Sequence, residues 1–173
     1  MAIARGELLG DLIDGQPQIF REAAFLHLLT REAARATRYQ DFFSVCLLRP
    51  DGPGHRRQVS EELEQAVSRK VPEFVRTTDM VGQLSSAIAI ILLHTAGEDA
   101  LRIAERVRAD IEQVVFRESS NGSPKRFTVS VSKVSFPRDG HDHAALLSQA
   151  MAFLDQATHR GGNRVTASGE PLG

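Results

Sequence analysis

The sequence predicts an α/β (α+β) fold, a mixed and largely antiparallel sheet flanked by helices. Three observations predict it. Stretches with helical spacing of apolar residues alternate with short continuous apolar runs, the pattern of layers that bury one another. Two of those runs, 81–84 and 87–93, meet at Ser85-Ser86, a short polar pair that reads as a hairpin turn. The second run is apolar throughout, which places it inside the sheet with both faces covered. One hairpin within an alternating order argues against a purely parallel, doubly wound sheet.

Taken in order, residues 1–13 read as a short amphipathic helical lead-in carrying Ile3, Leu8, Leu9, Leu12 and Ile13, weakened by Gly6 and Gly10. A break at 14–17 opens the single domain, 14–166. Residues 18–39 have helical spacing, with Phe20, Ala24 and Leu28 beside a stripe of Phe25, Leu29, Ala33 and Ala36. A buried strand follows at 42–48, then a loop with two prolines and two glycines. Ser60 caps the next helix, with Glu61 and Glu62 in its first turn. Pro72 kinks or restarts it. After the hairpin, Thr95 and Glu98 have the spacing of a capping box for a third helix, which buries Ile103, Val107 and Val114. Residues 127–136 form a strand. Asp142 caps a last helix with Leu146, Leu147, Ala150, Phe153 and Leu154. Gly161 and Gly162 stop it, Val165 lies on a short edge strand, and 167–173 reads as a flexible tail.

The chain of 173 residues is 42% hydrophobic and 25% charged, with a formal net charge of −1, so it is long enough to build a core and lacks the basic excess that a nucleic-acid polymer calls for. No apolar run is long enough for a membrane span, and the N-terminus has no signal pattern, which gives a cytoplasmic reading with no membrane partner. The single Cys46 lies in an apolar strand and reads as a buried thiol. His27, His55, His94, His141, His143 and His159 show no metal-ligand spacing. Ser130 has no visible nucleophile partners. Arg49 with His55, Arg56 and Arg57 makes a cationic loop that reads as solvated.

Five segments carry a resemblance. They are EAARATR at 32–38, VRTTDMVG at 75–82, DALRIAERVR at 99–108, TVSV at 128–131 with Phe136-Pro137, and Gly162-Asn163-Arg164-Val165 after Leu146, Leu147, Ala150 and Ala157. Their order and spacing resemble those of a GGDEF domain, the diguanylate cyclase fold related to adenylyl cyclase and polymerase palm domains, over 14–166. The resemblance implies a cyclase that joins two GTP molecules, with a divalent cation held by carboxylates at the hairpin signature and at the end of the first strand. Here the signature positions are Ser85, Ser86, Ala87, Ile88 and Ala89, without glycines or carboxylates. The Asp-x-Asp of the first strand is matched by Arg49, Pro50 and Asp51. The phosphate-binding lysine and arginine of the closing helix are matched by Thr158 and Gly162. The expectation is a degenerate domain with no catalytic residues, no metal, no cofactor and no enzymatic activity.

One feature of the family pattern stays. Arg76-Thr77-Thr78-Asp79 matches the inhibitory-type RxxD motif upstream of the signature, and Arg106 matches its helper arginine. The resemblance implies cyclic di-GMP as a regulatory ligand there, with arginines on phosphate or guanine edges and Asp79 accepting guanine N–H groups. The bland alternative is a solvated Arg76–Asp79 ion pair. A second functional reading keeps the domain nucleotide-free and has it act through protein contacts, with an active cyclase, another signalling partner or a second copy.

Overall fold

The computed structural model describes residues 19–52, 59–117 and 122–169. The predicted lead-in at 1–13 and residues 170–173 lie outside them. Six strands form one sheet, in the order β1-β3-β4-β2-β7-β8: β1 (Ile19–Arg21), β2 (Phe43–Pro50), β3 (Met80–Gln83), β4 (Ile88–Leu93), β7 (Val129–Phe136) and β8 (Val165–Ala167). The pairs β3–β4, β4–β2 and β2–β7 are antiparallel, and the edge pairs β1–β3 and β7–β8 are parallel. The fold is therefore the mixed, mostly antiparallel sheet that the hairpin predicts. A small separate ribbon joins β5 (Phe116–Arg117) to β6 (Pro124–Lys125).

Among the described residues, four helices cover the two faces: α1 (Glu22–Tyr39), α2 (Glu61–Lys70), α3 (Gly97–Gln113) and α4 (His143–His159). Alternation along the strands divides the core. Phe43, Val45, Leu47, Ala89, Ile91, Val134 and Phe136 face α1 and α4. Cys46, Leu48, Ile88, Ile90, Leu92, Val129 and Val131 face α2 and α3. Each helix supplies a stripe at the expected spacing, such as Phe25, Leu29, Ala33 and Ala36 of α1, all buried. Gly82 is required by packing. A Cβ there would collide with the ring of Phe25, so β3 and α1 meet ring against bare backbone. Burial pushes the Cys46 thiol up to about 12, in keeping with an inert core residue.

Several boundaries differ from the sequence reading. Ile19–Arg21 is an edge strand, because it pairs with β3 before the helix starts at Glu22. Ser60 and Asp142 cap α2 and α4 as expected, accepting from the Leu63 and Ala145 amides. The Thr95–Glu98 capping box does not form. The Thr95 hydroxyl turns back to the Leu93 carbonyl, Ala96 takes the cap position without a side-chain bond, and Gly97 enters the helix at φ 57°. Ile103 and Val114 are only partly buried. Residues 71–74 form a 3-10 turn around Pro72. Ala167, assigned to the tail, is a buried residue of β8.

Candidate functional site

The strand register defines two ends of the sheet. Leu48 pairs with Ile88 and Pro50 with Val129 at the hairpin end; Phe43 pairs with Leu93 and Phe136 at the other. The signature positions lie at the hairpin end. Ser85 and Ser86 form the exposed turn, closed by a 2.8 Å bond from the Leu84 amide to the Ala87 carbonyl. Ala87, just before β4, and Ile88 and Ala89 within it are fully buried, with Ile88 on the opposite face from the two alanines. The Ser85 amide donates to Glu22 Oε2 at 2.9 Å, so the first turn of α1 takes up the N–H that the tip presents.

Arg49 leaves β2 beside this turn. Its guanidinium donates Nη1 to Asp155 Oδ1 of α4 at 2.9 Å and Nε to the Ser86 carbonyl at 3.3 Å, with Nη2 3.6 Å from Met151 Sδ. A cationic side chain thus joins strand, hairpin turn and helix. A divalent cation needs converging anionic oxygens. The carboxylates at this end are each engaged by the protein, Asp155 by the Arg49 guanidinium, Glu22 by the Ser85 amide and Asp51 by two hydroxyls and an amide, and a guanidinium stands among them, so these residues do not fit the metal that the resemblance implies. Among the described residues, no group of three or more His, Cys, Asp or Glu side chains is placed to hold a metal ion.

Asp51, one step beyond β2, serves as a hub. Its buried carboxylate accepts the Thr128 hydroxyl at 2.7 Å, the Ser130 hydroxyl at 2.6 Å and the Asn163 amide at 2.8 Å. Gly162, at φ 68°, has no room for a Cβ, which would fall 2.7 Å from that carboxylate. The position that the resemblance assigns to a phosphate-binding arginine is therefore where the backbone closes on Asp51. Thr158, at the lysine position, turns its hydroxyl back to the Leu154 carbonyl. Asn163 is further held by Arg108 and Glu112 of α3.

At the opposite end stand Arg76, Asp79 and Arg106. The structure brings all three to one edge, between the 3-10 turn, the start of β3 and α3. The side-chain ion pair of the bland alternative does not form. Asp79 instead accepts the Arg76 backbone amide at Oδ2, 3.0 Å away, and the Leu93 amide at Oδ1, 3.4 Å away. The Arg76 guanidinium is exposed and has no partner among the described residues. Arg106 is exposed as well and donates to the Phe74 carbonyl at 3.3 Å, two residues ahead of Arg76. Two guanidinium groups thus flank a turn whose carboxylate is fixed by backbone amides.

Sequence reasoning missed Glu22, Asp155 and the hub role of Asp51. Their partners lie 63, 106 and up to 112 residues away, so no local spacing marks them.

Residues 12–164 match the family described as Diguanylate cyclase, GGDEF domain. The chain belongs to the GGDEF family. Diguanylate cyclase DosC of Escherichia coli K12 is 31% identical over 147 residues, which cover 80% of this chain and 31% of that protein, so the chain spans about a third of the length of this curated relative. Among solved structures, the GGDEF domain of DgcB from Caulobacter crescentus, in complex with c-di-GMP, superposes with a TM-score of 0.76 at 20% identity, covering 90% of this chain and 95% of that one. Diguanylate cyclase SiaD of Pseudomonas aeruginosa, in complex with its activator SiaC, gives 0.76 at 18% identity, covering 94% of this chain and 64% of that one. These two likenesses establish the fold. No helix among the described residues is long and apolar enough to cross a membrane.

Proposed function

We propose that this chain is a catalytically inactive GGDEF domain that works in cyclic di-GMP signalling as a receptor, binding the dinucleotide at Arg76, Asp79 and Arg106. The observation that carries the reading is the exposed Arg76 guanidinium, unengaged by the described residues, beside the exposed Arg106 on a turn held in shape by Asp79. Guanidinium groups suit phosphate oxygens and guanine edges because their donors form a planar fork. Asp79 is anchored by two amides, and the longer of the two bonds, from Leu93 at 3.4 Å, leaves Oδ1 open to competition by guanine N–H groups. The relative DgcB, solved with c-di-GMP, supports the ligand class.

Inactivity is supported by the hairpin end. Arg49 pairs with Asp155, the Ser85 amide is taken by Glu22, and Ala87 and Ile88 sit in the core. Calorimetric titration with cyclic di-GMP tests the receptor reading. Wild-type protein is expected to bind at micromolar concentration or tighter. Arg76→Ala should lose at least tenfold in affinity and keep the wild-type melting temperature. No heat and no thermal shift with wild-type protein would sink the receptor reading, and GTP consumption with Mg²⁺ would sink the inactive one.

A second reading, protein contact without nucleotide, is favoured by two aromatic side chains at the end of α1. Tyr39 is 66% exposed and Phe42 43% exposed, beside an open groove of about 460 Å³. Such a surface suits a protein partner, an active cyclase or a second copy among them. The complex of the relative SiaD with its activator SiaC is in keeping with it. Under this reading Arg76→Ala leaves partner binding intact.

A further inference from the structure

We infer that Asp79 is one end of a hydrogen-bonded relay that runs through the β4–α3 connection to the C-terminal end of α1, and that ligand at the Arg76–Asp79 edge is reported there. The inference rests on the receptor reading for its trigger; the relay itself rests on bonds within the protein. The connection is held along its length. The Leu93 amide donates to Asp79 Oδ1 at 3.4 Å, and the Leu93 carbonyl accepts the Thr95 hydroxyl at 2.8 Å. His94 Nδ1 lies 3.2 Å from Asp41 Oδ1, and the Thr95 carbonyl accepts the Ser44 hydroxyl at 2.7 Å. Gly97, two residues on, starts the helix that carries Arg106.

The relay turns on His94. Its backbone sits at φ 48°, a left-handed conformation uncommon for a residue with a side chain, and one that the bonds on either side of it help to hold. The bond from Leu93 to Asp79 is the longest of the set, hence the easiest to exchange. A ligand that engages Asp79 Oδ1 with its own N–H groups removes the acceptor from Leu93. His94 then relaxes toward negative φ and withdraws from Asp41. Asp41 also accepts Arg35 Nη2 at 2.7 Å and the Phe42 amide at 2.8 Å, so it fixes the last turn of α1 against the start of β2. Asp41 and Phe42 line the open groove with Ala36, Thr37 and Phe136. The relay therefore ends where the surface of the domain changes shape. A ligand shifts such an equilibrium only through its differential affinity for the two arrangements, which competition for Oδ1 supplies.

Amide ¹H–¹⁵N correlation spectra of the full chain test this, with and without cyclic di-GMP. Without ligand, Asp79→Ala should move the Leu93, His94, Asp41 and Phe42 amides, whereas Arg76→Ala should move only its neighbours. Should Asp79→Ala not fold, Asp79→Asn, which keeps the shape and gives up one acceptor oxygen, takes its place. With ligand, wild-type protein should move residues 76–79 together with 41, 42 and 94. His94→Ala should keep the response at 76–79 and lose it at 41 and 42. Ligand shifts confined to 76–79 and Arg106 overturn the relay and leave the receptor reading standing. Asp79 variants that leave 41 and 42 unmoved also overturn the relay. No ligand shifts at all, with 41 and 42 moved by the Asp79 variant, support the relay and overturn the receptor.

Discussion

At the hairpin end of the sheet, Arg49 is closed on Asp155 and the Ser86 carbonyl, the Ser85 amide on Glu22, and Asp51 on Thr128, Ser130 and Asn163. At the other end, Arg76 extends into solvent with its guanidinium unengaged by the described residues, and Arg106 holds a single carbonyl. Both ends carry arginine and aspartate, so composition does not distinguish them. The difference lies in how many donors and acceptors the fold itself consumes. Polar groups that satisfy one another rigidify a structure and leave little for a ligand. A guanidinium left in water retains its capacity to bind. At the hairpin end the polar groups named here are consumed by the fold, while at the other end the Arg76 guanidinium is not engaged by the described residues.

The largest effect that tests this contrast comes from putting a signature carboxylate back. Ile88 is fully buried between β2 and β3, paired across the sheet with Leu48 and Gln83. Ile88→Glu places a charge in a dry core without a partner, and roughly 4 kcal/mol of stability should be lost. Urea unfolding measures it; a cost under about 1 kcal/mol would mean that the hairpin end still has room for the acid. Next comes Asp51→Ala, which strands two hydroxyls and one amide. About 3 kcal/mol should go in the same assay, and an unchanged midpoint would show that the closing turn does not depend on the hub.

The layers were legible because periodicity reports burial directly. The stripe on α1 and the apolar run of β4 specify which faces meet, and the structure buries them so. The β1 strand escaped because three residues followed at once by a helix carry no alternation of their own. The Thr95 cap failed because the Thr95 hydroxyl is spent on the Leu93 carbonyl, while Ser44, 51 residues away, holds the Thr95 carbonyl, a tertiary contact that no local spacing announces. Of the site, the positions of Arg76, Asp79 and Arg106 on one edge followed from family spacing. What Asp79 does there did not. Sequence suggests an ion pair with the Arg76 side chain, yet the carboxylate takes the Arg76 amide, because a short acidic side chain reaches its own turn most readily. That local bond leaves the guanidinium unengaged by the described residues.

The smallest effect concerns the network beyond the RxxD edge. The Asp41 carboxyl is held below the usual carboxylate range, first by the Phe42 amide that donates to it and then by the Arg35 guanidinium. A carboxyl lowered in the folded state adds stability that is fully present above its unfolded pKa, near 4, and that is lost as pH falls through the lower folded value. Asp41→Asn has no such proton to bind. The melting temperature of wild-type protein should therefore fall more steeply than that of the variant as pH drops below about 4, while the two curves run parallel at neutral pH. Parallel curves throughout would mean that Asp41 holds its partners no better in the folded chain than in the unfolded one. The contrast between the two ends would then sharpen further, because the RxxD end would keep its geometry through backbone amides alone.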